Sequence, residues 1–412
     1  MSTPRLFGAL TLALPLLFAC AGPTPSPEAV QDRAASLARS AVLIDTHIDV
    51  PFRLYRKPED VSVATPDGDF DYPRAVAGGL DALFMSIYIP ADVDEAGQAR
   101  PFADGLIDGV EALANDHPEQ FAVATCTGDI ATLKGTGKLA FAMGMENGGP
   151  VEGSLENLDH FAERGIRYIT LTHSRSNHIA DSSYDLNERW GGLSPFGKML
   201  IPAMNERGIM IDVSHVSDRA FRQVLDLSEV PVIASHSSLR HFTPGFRRNM
   251  DDAMVKALGD NGGVIQINFG SGFLTAAARK YSNAREQATL RFRASEGLAD
   301  GDPRLLEFAR AYSQDNPYPF ADLDDVLNHI DRAVELAGID HVGIGSDYDG
   351  VGDSLPTGLK DVSEYPNLIA GLLNRGYNET DITKILSGNL LRVWREVESY
   401  AAQAGYPARC RQ

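Results

Sequence analysis

Cysteine is scarce in this chain, with three residues in a sequence of 412. The positions of Cys20, Cys126 and Cys410 contain no CxxC pair, which excludes a cysteine-rich metal site. Cys126 and Cys410 could form a disulfide or remain unpaired. The sequence leaves both alternatives open, because bridging depends on how close the fold brings the two residues.

Basic residues are also few. The chain has 37 Lys and Arg and 56 Asp and Glu, which gives a formal net charge of −19. This balance argues against a nucleic-acid partner, because phosphate binding requires a basic face. The fractions of hydrophobic residues, 43%, and of charged residues, 23%, are those of a globular protein. The length allows one large α/β barrel or roughly two to three smaller domains.

The apolar run over residues 6–18 is too short to span a bilayer. With Arg5 before it and Cys20 after it, it predicts a signal peptide over residues 1–20 with a lipobox-like end. We expect lipidated Cys20 to anchor an exported protein to the membrane of the bacterial cell envelope, facing the periplasm. Plain secretion is the alternative. Residues 21–40 predict a Pro-rich tether and a leading helix.

Eight apolar, β-branched segments alternate with helix-like segments along the rest of the chain. Such strands are typical of a buried parallel sheet, and eight units favour a closed barrel over an open sheet. The sequence therefore predicts an α/β fold, a catalytic (β/α)8 TIM-like barrel over residues 41–400, followed by a C-terminal tail over 401–412. Residues 271–325 exceed the length of an ordinary connection and predict a helical insertion before the last strand. The predicted strands cover residues 42–49, 82–89, 139–146, 166–173, 209–215, 230–236, 263–269 and 341–347.

Chemically active side chains stand at the ends of these predicted strands. The first strand runs through LIDTHIDV, in which His47 and Asp49 share one face because side chains alternate along a strand. In a barrel, the C-terminal ends of all strands meet at one mouth, where barrel enzymes carry their active sites. The other strand ends supply Glu146, His173, His215, His236 and Asp347.

This set of residues predicts a metal centre. Three imidazoles (His47, His215, His236) and two carboxylates (Asp49, Glu146) suit one or two divalent cations, zinc first. A carboxylate from a middle strand can bridge two metals, and such a pair generates hydroxide from water near neutral pH. No lysine stands at a predicted strand end, which argues against the barrel hydrolases that use a carbamylated lysine as the bridge.

Neighbouring residues leave alternatives open. Either Arg247 or Arg248, in the loop after the sixth strand, could clamp a substrate carboxylate. Asp347 could act as a proton shuttle, and Asp349 is the alternative candidate for this role. Asp45 lies deeper in its strand, and we expect it to have a structural role. The remaining histidines are expected to be structural or solvated: His117, His160, His178, His241, His329 and His341. For His178, a functional role is equally open.

The motifs resemble those of the membrane (renal) dipeptidase family, zinc metallopeptidases of the amidohydrolase-like barrel group. The resemblance rests on segments that run in the family's order from about residue 43 to residue 394. These segments are IDTHIDVP, GMENG, RYITLTHSRSN, ADSS, GLSPFGK, MNERGIMIDVSHVSD, VIASHSSLR, RRNMDD, GIGSDYDGV and SGNLLRV. The long segment 271–325 departs from the family's mammalian pattern, and neither Cys126 nor Cys410 matches a family disulfide.

The resemblance implies a role for each site residue. Two zinc ions would be held by His47 and Asp49 on one side and by His215 and His236 on the other, with Glu146 bridging. His173 would contact the substrate carbonyl and stabilise the oxyanion. Arg248 would hold the C-terminal carboxylate of a dipeptide, and Asp347 would be the acid/base residue.

The expected function is therefore that of a zinc-dependent dipeptidase, in which a hydroxide bridging two metals attacks the peptide bond. Dipeptides with a C-terminal D-residue are expected among its substrates. A related barrel metallohydrolase acting on β-lactams or N-acyl amino acids is the alternative. A tethered protein that binds peptides or zinc without turnover is a third hypothesis, and a homodimer is an open possibility.

Overall fold

A computed structural model describes residues 3, 26–299 and 301–411. The predicted signal peptide and Cys20 lie outside the described residues. Within them, no helix is both long and apolar enough to pass through a membrane. The described residues form nine strands: β1 (Ile44–Ile48), β2 (Ala82–Tyr88), β3 (Phe121–Val123), β4 (Leu139–Glu146), β5 (Ile166–Thr170), β6 (Met210–Asp212), β7 (Ile233–Ser237), β8 (Val264–Ile267) and β9 (Val342–Ile344).

Eight of these strands form a parallel barrel in the order β1-β2-β4-β5-β6-β7-β8-β9. The barrel closes just beyond the ends of β1 and β9. There the amide of Asp49 donates to the carbonyl of Tyr348 at 2.9 Å, and the amide of Asp347 donates to the carbonyl of His47 at 3.1 Å. The prediction of a (β/α)8 barrel is confirmed, and its closure places the ends of the first and last strands side by side.

Strand β3 was not predicted from the sequence. It pairs with the first residues of β4, beginning with Phe121 opposite Leu139, whereas β5 pairs with the later residues of β4, beginning with Ile166 opposite Met143. The two short strands therefore follow one another along the same edge of β4. A strand of three residues carries too little periodicity to be recognised in the sequence.

Helices cover the outside of the barrel, and side-chain caps define many of their starts. Ser194 accepts from Gly197, and Asp251 accepts from Met254, as N-cap residues. The helices are α1 (Pro27–Ser40), α2 (Val50–Arg56), α3 (Tyr72–Gly78), α4 (Ala91–Glu95), α5 (Ala99–Asp116), α6 (Thr127–Leu133), α7 (Leu155–Arg164), α8 (Pro195–Glu206), α9 (Asp218–Leu227), α10 (Asp252–Asp260), α11 (Ser271–Leu274), α12 (Ala276–Glu296), α13 (Pro303–Asp315), α14 (Leu323–Ala337), α15 (Tyr365–Asn374), α16 (Glu379–Thr383) and α17 (Asn389–Gln403).

The insertion before the last strand is helical, as predicted, and comprises α11, α12 and α13. Helices α12 and α13 pack on each other, with the rings of Phe292 and Phe308 stacked at 4.4 Å. Only Ala278 of α12 is buried, and no residue of α13 is buried. The helical pair therefore projects from the barrel beside its mouth rather than joining the core.

Three predicted strands are too long. His173 lies three residues beyond the end of β5, His215 three beyond β6, and Asp347 three beyond β9. The backbone of His215 has φ 68° and that of Asp347 has φ 65°, and this left-handed conformation ends strand pairing. The side chains thus stand on the loops at the barrel mouth, where the turns direct them inward.

The C-terminal segment is covalently attached to the barrel. Cys126, the N-cap residue of α6, is bonded to Cys410. The hydroxyl of Thr125 also donates to the carbonyl of Arg409 at 2.6 Å. The structure therefore selects the paired alternative that the sequence left open.

Candidate active site

The C-terminal ends of the barrel strands open into a cavity of about 1030 Å³. His47 is completely buried and lies beneath this cavity. The predicted residues that line it are Asp49, Glu146, His173, His215, His236 and Asp347. Residues as far apart in the sequence as Asp49 and Asp347 therefore meet at one mouth, as expected for a barrel.

One group of ligand atoms surrounds Nε2 of His47. This atom lies 3.4 Å from Oδ2 of Asp49 and 3.6 Å from Oε2 of Glu146. Both Nε2 of His47 and Oδ1 of Asp49 are buried without a hydrogen-bond partner among the described residues. Buried polar atoms are rarely left unsatisfied, so this position suits a cation.

The orientation of His47 is fixed by Tyr168. Nδ1 of His47 lies 2.8 Å from the hydroxyl oxygen of Tyr168, and that hydroxyl donates its proton to the carbonyl of Thr46 at 3.0 Å. Nδ1 must therefore be the donor to Tyr168. In the neutral ring, this assignment leaves a lone pair on Nε2, the form in which histidine binds a metal.

A second group of ligand atoms surrounds the other oxygen of Glu146. Oε1 lies 3.2 Å from Nε2 of His215 and 3.2 Å from Nε2 of His236. The two imidazole nitrogens are themselves 2.8 Å apart. Two nitrogens and one carboxylate oxygen converging at these distances supply three of the four ligands of a tetrahedral site for a borderline cation such as zinc.

His236 is oriented by a hydrogen-bond chain similar to that of His47. The hydroxyl of Ser235 donates to Oδ2 of Asp212 at 2.6 Å, so Nδ1 of His236, 2.8 Å away from this hydroxyl, must donate to it. The lone pair of His236 is then on Nε2 and faces Glu146. Such carboxylate-linked chains fix the ring and raise its basicity as a ligand.

Burial and neighbouring charges shift the pKa values of these groups in different directions. Burial raises the pKa of Glu146, but His173, His47 and hydrogen bonds from the two other histidines outweigh it and hold the pKa well below its usual range. Burial lowers the pKa values of His215 and His236 well below the usual range, so both rings stay neutral. Burial also disfavours charge on His47, yet Tyr168, Glu146 and Asp49 raise its pKa well above the usual value.

His173 and Asp347 stand at the edge of the ligand cluster. Nε2 of His173 lies 3.6 Å from Oε1 of Glu146. Asp347 has ligand atoms within 4.8 Å of those of His47 and Asp49, so it could contact a metal as well as a reacting group. Burial raises its pKa well above the usual value, while Asn268 donates to its Oδ2 at 2.6 Å.

The structure separates the two arginines of the RRN segment. Arg247 is half-buried and lies 3.5 Å from Oε1 of Glu188. Arg248 is 3% exposed and donates to Ser237 and to the carbonyl of His236. Its Nε has no hydrogen-bond partner among the described residues, and within those residues no carboxylate lies within 4.0 Å. Arg248 is therefore a buried cation whose charge lacks a partner.

The other candidates have structural positions. Asp45 accepts from the amides of His47 and Ser346 and from the hydroxyl of Tyr365. Asp349 fixes a turn, because it accepts from the amide of Asp69 at 2.6 Å while its own amide donates to the Asp69 carboxylate. Burial raises the pKa of Asp349 to about 7.

The remaining histidines lie away from the cavity. His178 is half-buried, and this partial burial lowers its pKa to about 4. His329 uses both ring nitrogens in hydrogen bonds to backbone groups, and His341 contacts the carbonyl of Gly263 directly before β9. His117 and His160 pair with surface carboxylates. His241 stands in a 3-10 turn.

Four functional neighbours were not predicted from the sequence: Tyr168, Asp212, Ser235 and Asn268. Tyr168, Ser235 and Asn268 each hydrogen-bond to a predicted residue, across separations of up to 121 positions. Asp212 acts through Ser235, from which it accepts a hydrogen bond. The sequence offers one weak signal, since Asp212 and Ser235 lie within the motifs that carry His215 and His236. Nothing in the sequence distinguishes Tyr168 from an ordinary core residue.

Comparisons with known proteins agree with this geometry. Residues 31–407 match the family model described as membrane dipeptidase, peptidase family M19. Dipeptidase 3 of Mus musculus is 32% identical over 378 residues, covering 90% of this chain and 67% of that protein. An uncharacterized dipeptidase of Schizosaccharomyces pombe is 31% identical, covering 91% of this chain and 85% of its own length.

A solved structure shows the same arrangement of the whole chain. The crystal structure of the probable dipeptidase PvdM from Pseudomonas aeruginosa is 32% identical, with a TM-score of 0.79, and covers 91% of this chain and 100% of that one. The range of the family match, residues 31–407, contains the barrel and the whole cluster of candidate ligands. The chain thus belongs to the membrane dipeptidase family, peptidase family M19, and is a metallo-dipeptidase.

Proposed function

We propose that this metallo-dipeptidase uses two zinc ions, one held by His47 and Asp49 and one by His215 and His236, with Glu146 as the shared ligand. The observation that carries this proposal is that the two oxygens of the Glu146 carboxylate face different histidines. Its Oε2 faces Nε2 of His47, while its Oε1 faces Nε2 of both other histidines. A mixed set of nitrogen and oxygen donors favours zinc over magnesium or calcium.

When bound, the metal pair would polarise the scissile carbonyl and lower the pKa of a water molecule to make it a nucleophile near neutral pH. The protein's own residues orient and complete this chemistry. His173, beside Glu146 at 3.6 Å, would donate to the developing oxyanion. Asp347, which Asn268 orients, would accept the proton of the attacking water and deliver it to the leaving amine.

Arg248 would select for substrates in which the residue after the scissile bond carries a free C-terminal carboxylate. Its guanidinium is buried and lacks a carboxylate partner within the described residues, and such a charge is stabilised strongly by a bidentate anion. In a longer peptide, the second residue has no free carboxylate to offer. We propose that dipeptides, including those with a C-terminal D-residue, are the substrates for this reason.

The decisive experiment compares the wild type with Glu146→Gln, using exposed Glu156→Gln as a matched control. Metal content per chain and hydrolysis of L-Ala-D-Ala and L-Ala-L-Ala are measured for each variant. We expect two zinc ions and turnover of both dipeptides in the wild type and the control. In Glu146→Gln we expect metal loss and a decrease in kcat/KM of more than about 100-fold. Metal-loaded wild type that cleaves neither dipeptide would contradict the proposal.

We further propose that the enzyme is exported and attached to the cell envelope through lipid on Cys20. The support is the order of a basic residue, an apolar run and a cysteine at the start of the sequence. In a bacterial host, a labelled fatty acid should be incorporated into the wild type and not into Cys20→Ser. Equal labelling of both forms would reject lipid attachment at Cys20.

A further inference from the structure

Basic side chains are concentrated at the rim of the active-site cavity, although the chain carries a net charge of −19. The lining includes Arg53, Arg56, Lys57, Arg279 and Arg285. Arg53 lies 3.4 Å from Oδ2 of Asp349, and Lys57 pairs with Glu59 and Asp67. By contrast, neither Arg279 nor Arg285 has a carboxylate within 4.0 Å among the described residues. Both of these arginines belong to α12 of the insertion.

Arg279 is held on the same aromatic pair as the buried Arg248. Its guanidinium carbon lies 3.9 Å from the ring centre of Phe246, and that ring lies 5.7 Å from the ring of Phe273. The guanidinium of Arg248 lies 5.6 Å from the Phe273 ring. Stacking on an aromatic face restricts a guanidinium and leaves its N–H groups free for an anion. Arg279 is therefore oriented before any substrate arrives.

Both arginines also act on Tyr184, which lies over the second metal-ligand group with its ring 5.9 Å from that of His215. Burial raises the pKa of Tyr184, and the positive charges of Arg248 and Arg279 oppose this rise. Arg279 therefore faces the half of the cavity in which Arg248 would hold the C-terminal residue. By contrast, the ion pair of Arg53 and Asp349 lies beside the segments that follow β1 and β9 and close to Asp49.

The geometry points to a second anion subsite, in which Arg279 binds a carboxylate on the side chain of the dipeptide's C-terminal residue. This inference rests on the proposed function, because it takes the main-chain carboxylate to be held by Arg248. We infer that dipeptides ending in an acidic residue are preferred over their neutral isosteres. A cavity of about 1030 Å³ is at the upper end of the range for small-molecule sites and leaves room for such a side chain.

Asp353 is a carboxylate of the cavity lining that opposes an acidic ligand on the Arg279 side. It lines the cavity, but it is exposed and makes no ion pair with Arg279 or Arg285 within 4.0 Å. An exposed carboxylate is screened by water and salt, whereas the half-buried, stacked Arg279 is screened less. The local field at the aromatic pair is thus positive.

The test is the ratio of kcat/KM for L-Ala-D-Glu to that for L-Ala-D-Gln, repeated with the L-configured second residue. These two side chains differ by a charge and not by size. We expect a ratio of about 10 or more in the wild type, since a hydrogen bond between charged groups contributes roughly 1.5–3 kcal/mol. The ratio should approach 1 in Arg279→Gln, because kcat/KM should fall more for the Glu dipeptide than for the Gln dipeptide. Arg279→Lys should retain part of the preference.

Arg291→Gln is the matched control, because Arg291 is an exposed arginine on the same helix that does not line the cavity. It should keep the wild-type ratio. A wild-type ratio at or below 1, or an equal loss of both substrates in Arg279→Gln, would overturn the subsite and leave the dipeptidase proposal intact. Failure of the metal-loaded wild type to cleave any of the four dipeptides would instead overturn the proposed function.

Discussion

Nδ1 of His47 and the hydroxyl of Tyr168 lie 2.8 Å apart, although they belong to strands that are three positions apart in the order of the barrel. The hydroxyl proton is already donated to the carbonyl of Thr46. The contact therefore assigns the proton of His47 to Nδ1 and leaves Nε2 for the cavity. The ring of Tyr168 reaches this position because residue 144 is glycine: a Cβ there would lie 2.0 Å from Cζ of Tyr168.

Tyr168→Phe should weaken metal binding while the fold is retained. The ring still fills its site, but His47 loses the acceptor that fixes its tautomer. Loss of such an outer hydrogen bond typically reduces metal affinity about 10–100-fold. A titration with zinc in the presence of a competing chelator measures this change, and added zinc should restore dipeptide hydrolysis.

Tyr348→Phe provides the control for this experiment. Its hydroxyl is also buried, but it donates to the carbonyl of Leu359 and not to a metal-ligand residue. We expect zinc affinity to match the wild type. Equal affinities in Tyr168→Phe and the wild type would show that packing alone orients His47.

The candidate ligand residues could be predicted because each stands at a strand end or shortly after it, where a polar side chain follows an apolar run. His47 and Asp49 show this most clearly, since the alternation places both on one face. The hydrogen bonds of Tyr168 and Ser235 could not be predicted, because they depend on distances between strands rather than on a local pattern. Strand β3 was missed for a related reason, since its three residues are defined by pairing with β4.

The sequence also could not predict that His215 and Asp347 lie in loops after their strands. Both residues adopt positive φ, although neither is glycine. Such a conformation persists only where surrounding contacts determine it. The amide of Asp347 bonds to the carbonyl of His47 across the barrel closure, and sequence periodicity carries no information about that contact.

Gly350→Ala should abolish hydrolysis without unfolding the barrel. A Cβ at this position would lie 2.2 Å from Oδ2 of Asp49 and 2.3 Å from Oδ1 of Asp347. Either carboxylate must move, and a displacement of about 1 Å at reacting groups can cost 10²-fold in rate. Steady-state kinetics and a thermal melt measure the two effects separately. Gly109→Ala is the control, because a Cβ there meets no atom within 4 Å; wild-type activity in Gly350→Ala would reject the steric argument.

Loss of the disulfide should reduce stability and leave catalysis unchanged. Cys126 and Cys410 are separated by 284 residues in sequence, so the bond restricts a large part of the unfolded chain, and its removal should cost about 2–4 kcal/mol. Neither cysteine lines the active-site cavity. Urea unfolding should show equal losses for Cys410→Ser and for the double variant Cys126→Ser/Cys410→Ser. A decrease in kcat/KM of the folded variants would contradict the separation of the two sites.

The stability of the fold should fall in mild acid because of His329 on α14. Its Nδ1 accepts from the amide of Leu239 at 3.0 Å, and its Nε2 lies 3.0 Å from the carbonyl of Leu274. The buried ring is therefore neutral, with its proton on Nε2. A second proton on Nδ1 would place two hydrogen-bond donors, Nδ1–H and the amide of Leu239, against each other. Burial lowers the pKa of His329 from 6.5 to about 4.

In the unfolded chain, this histidine takes up a proton below its ordinary pKa, whereas in the folded protein it does not. The stabilisation is therefore fully present above pH 6.5 and is lost as the pH falls towards about 4, with a total of about 3 kcal/mol. The free energy of unfolding should decrease more steeply over this range in the wild type than in His329→Gln, which cannot take up the proton. The difference between the two slopes cancels the contributions of other titrating groups, so identical slopes would show that His329 does not couple protonation to folding.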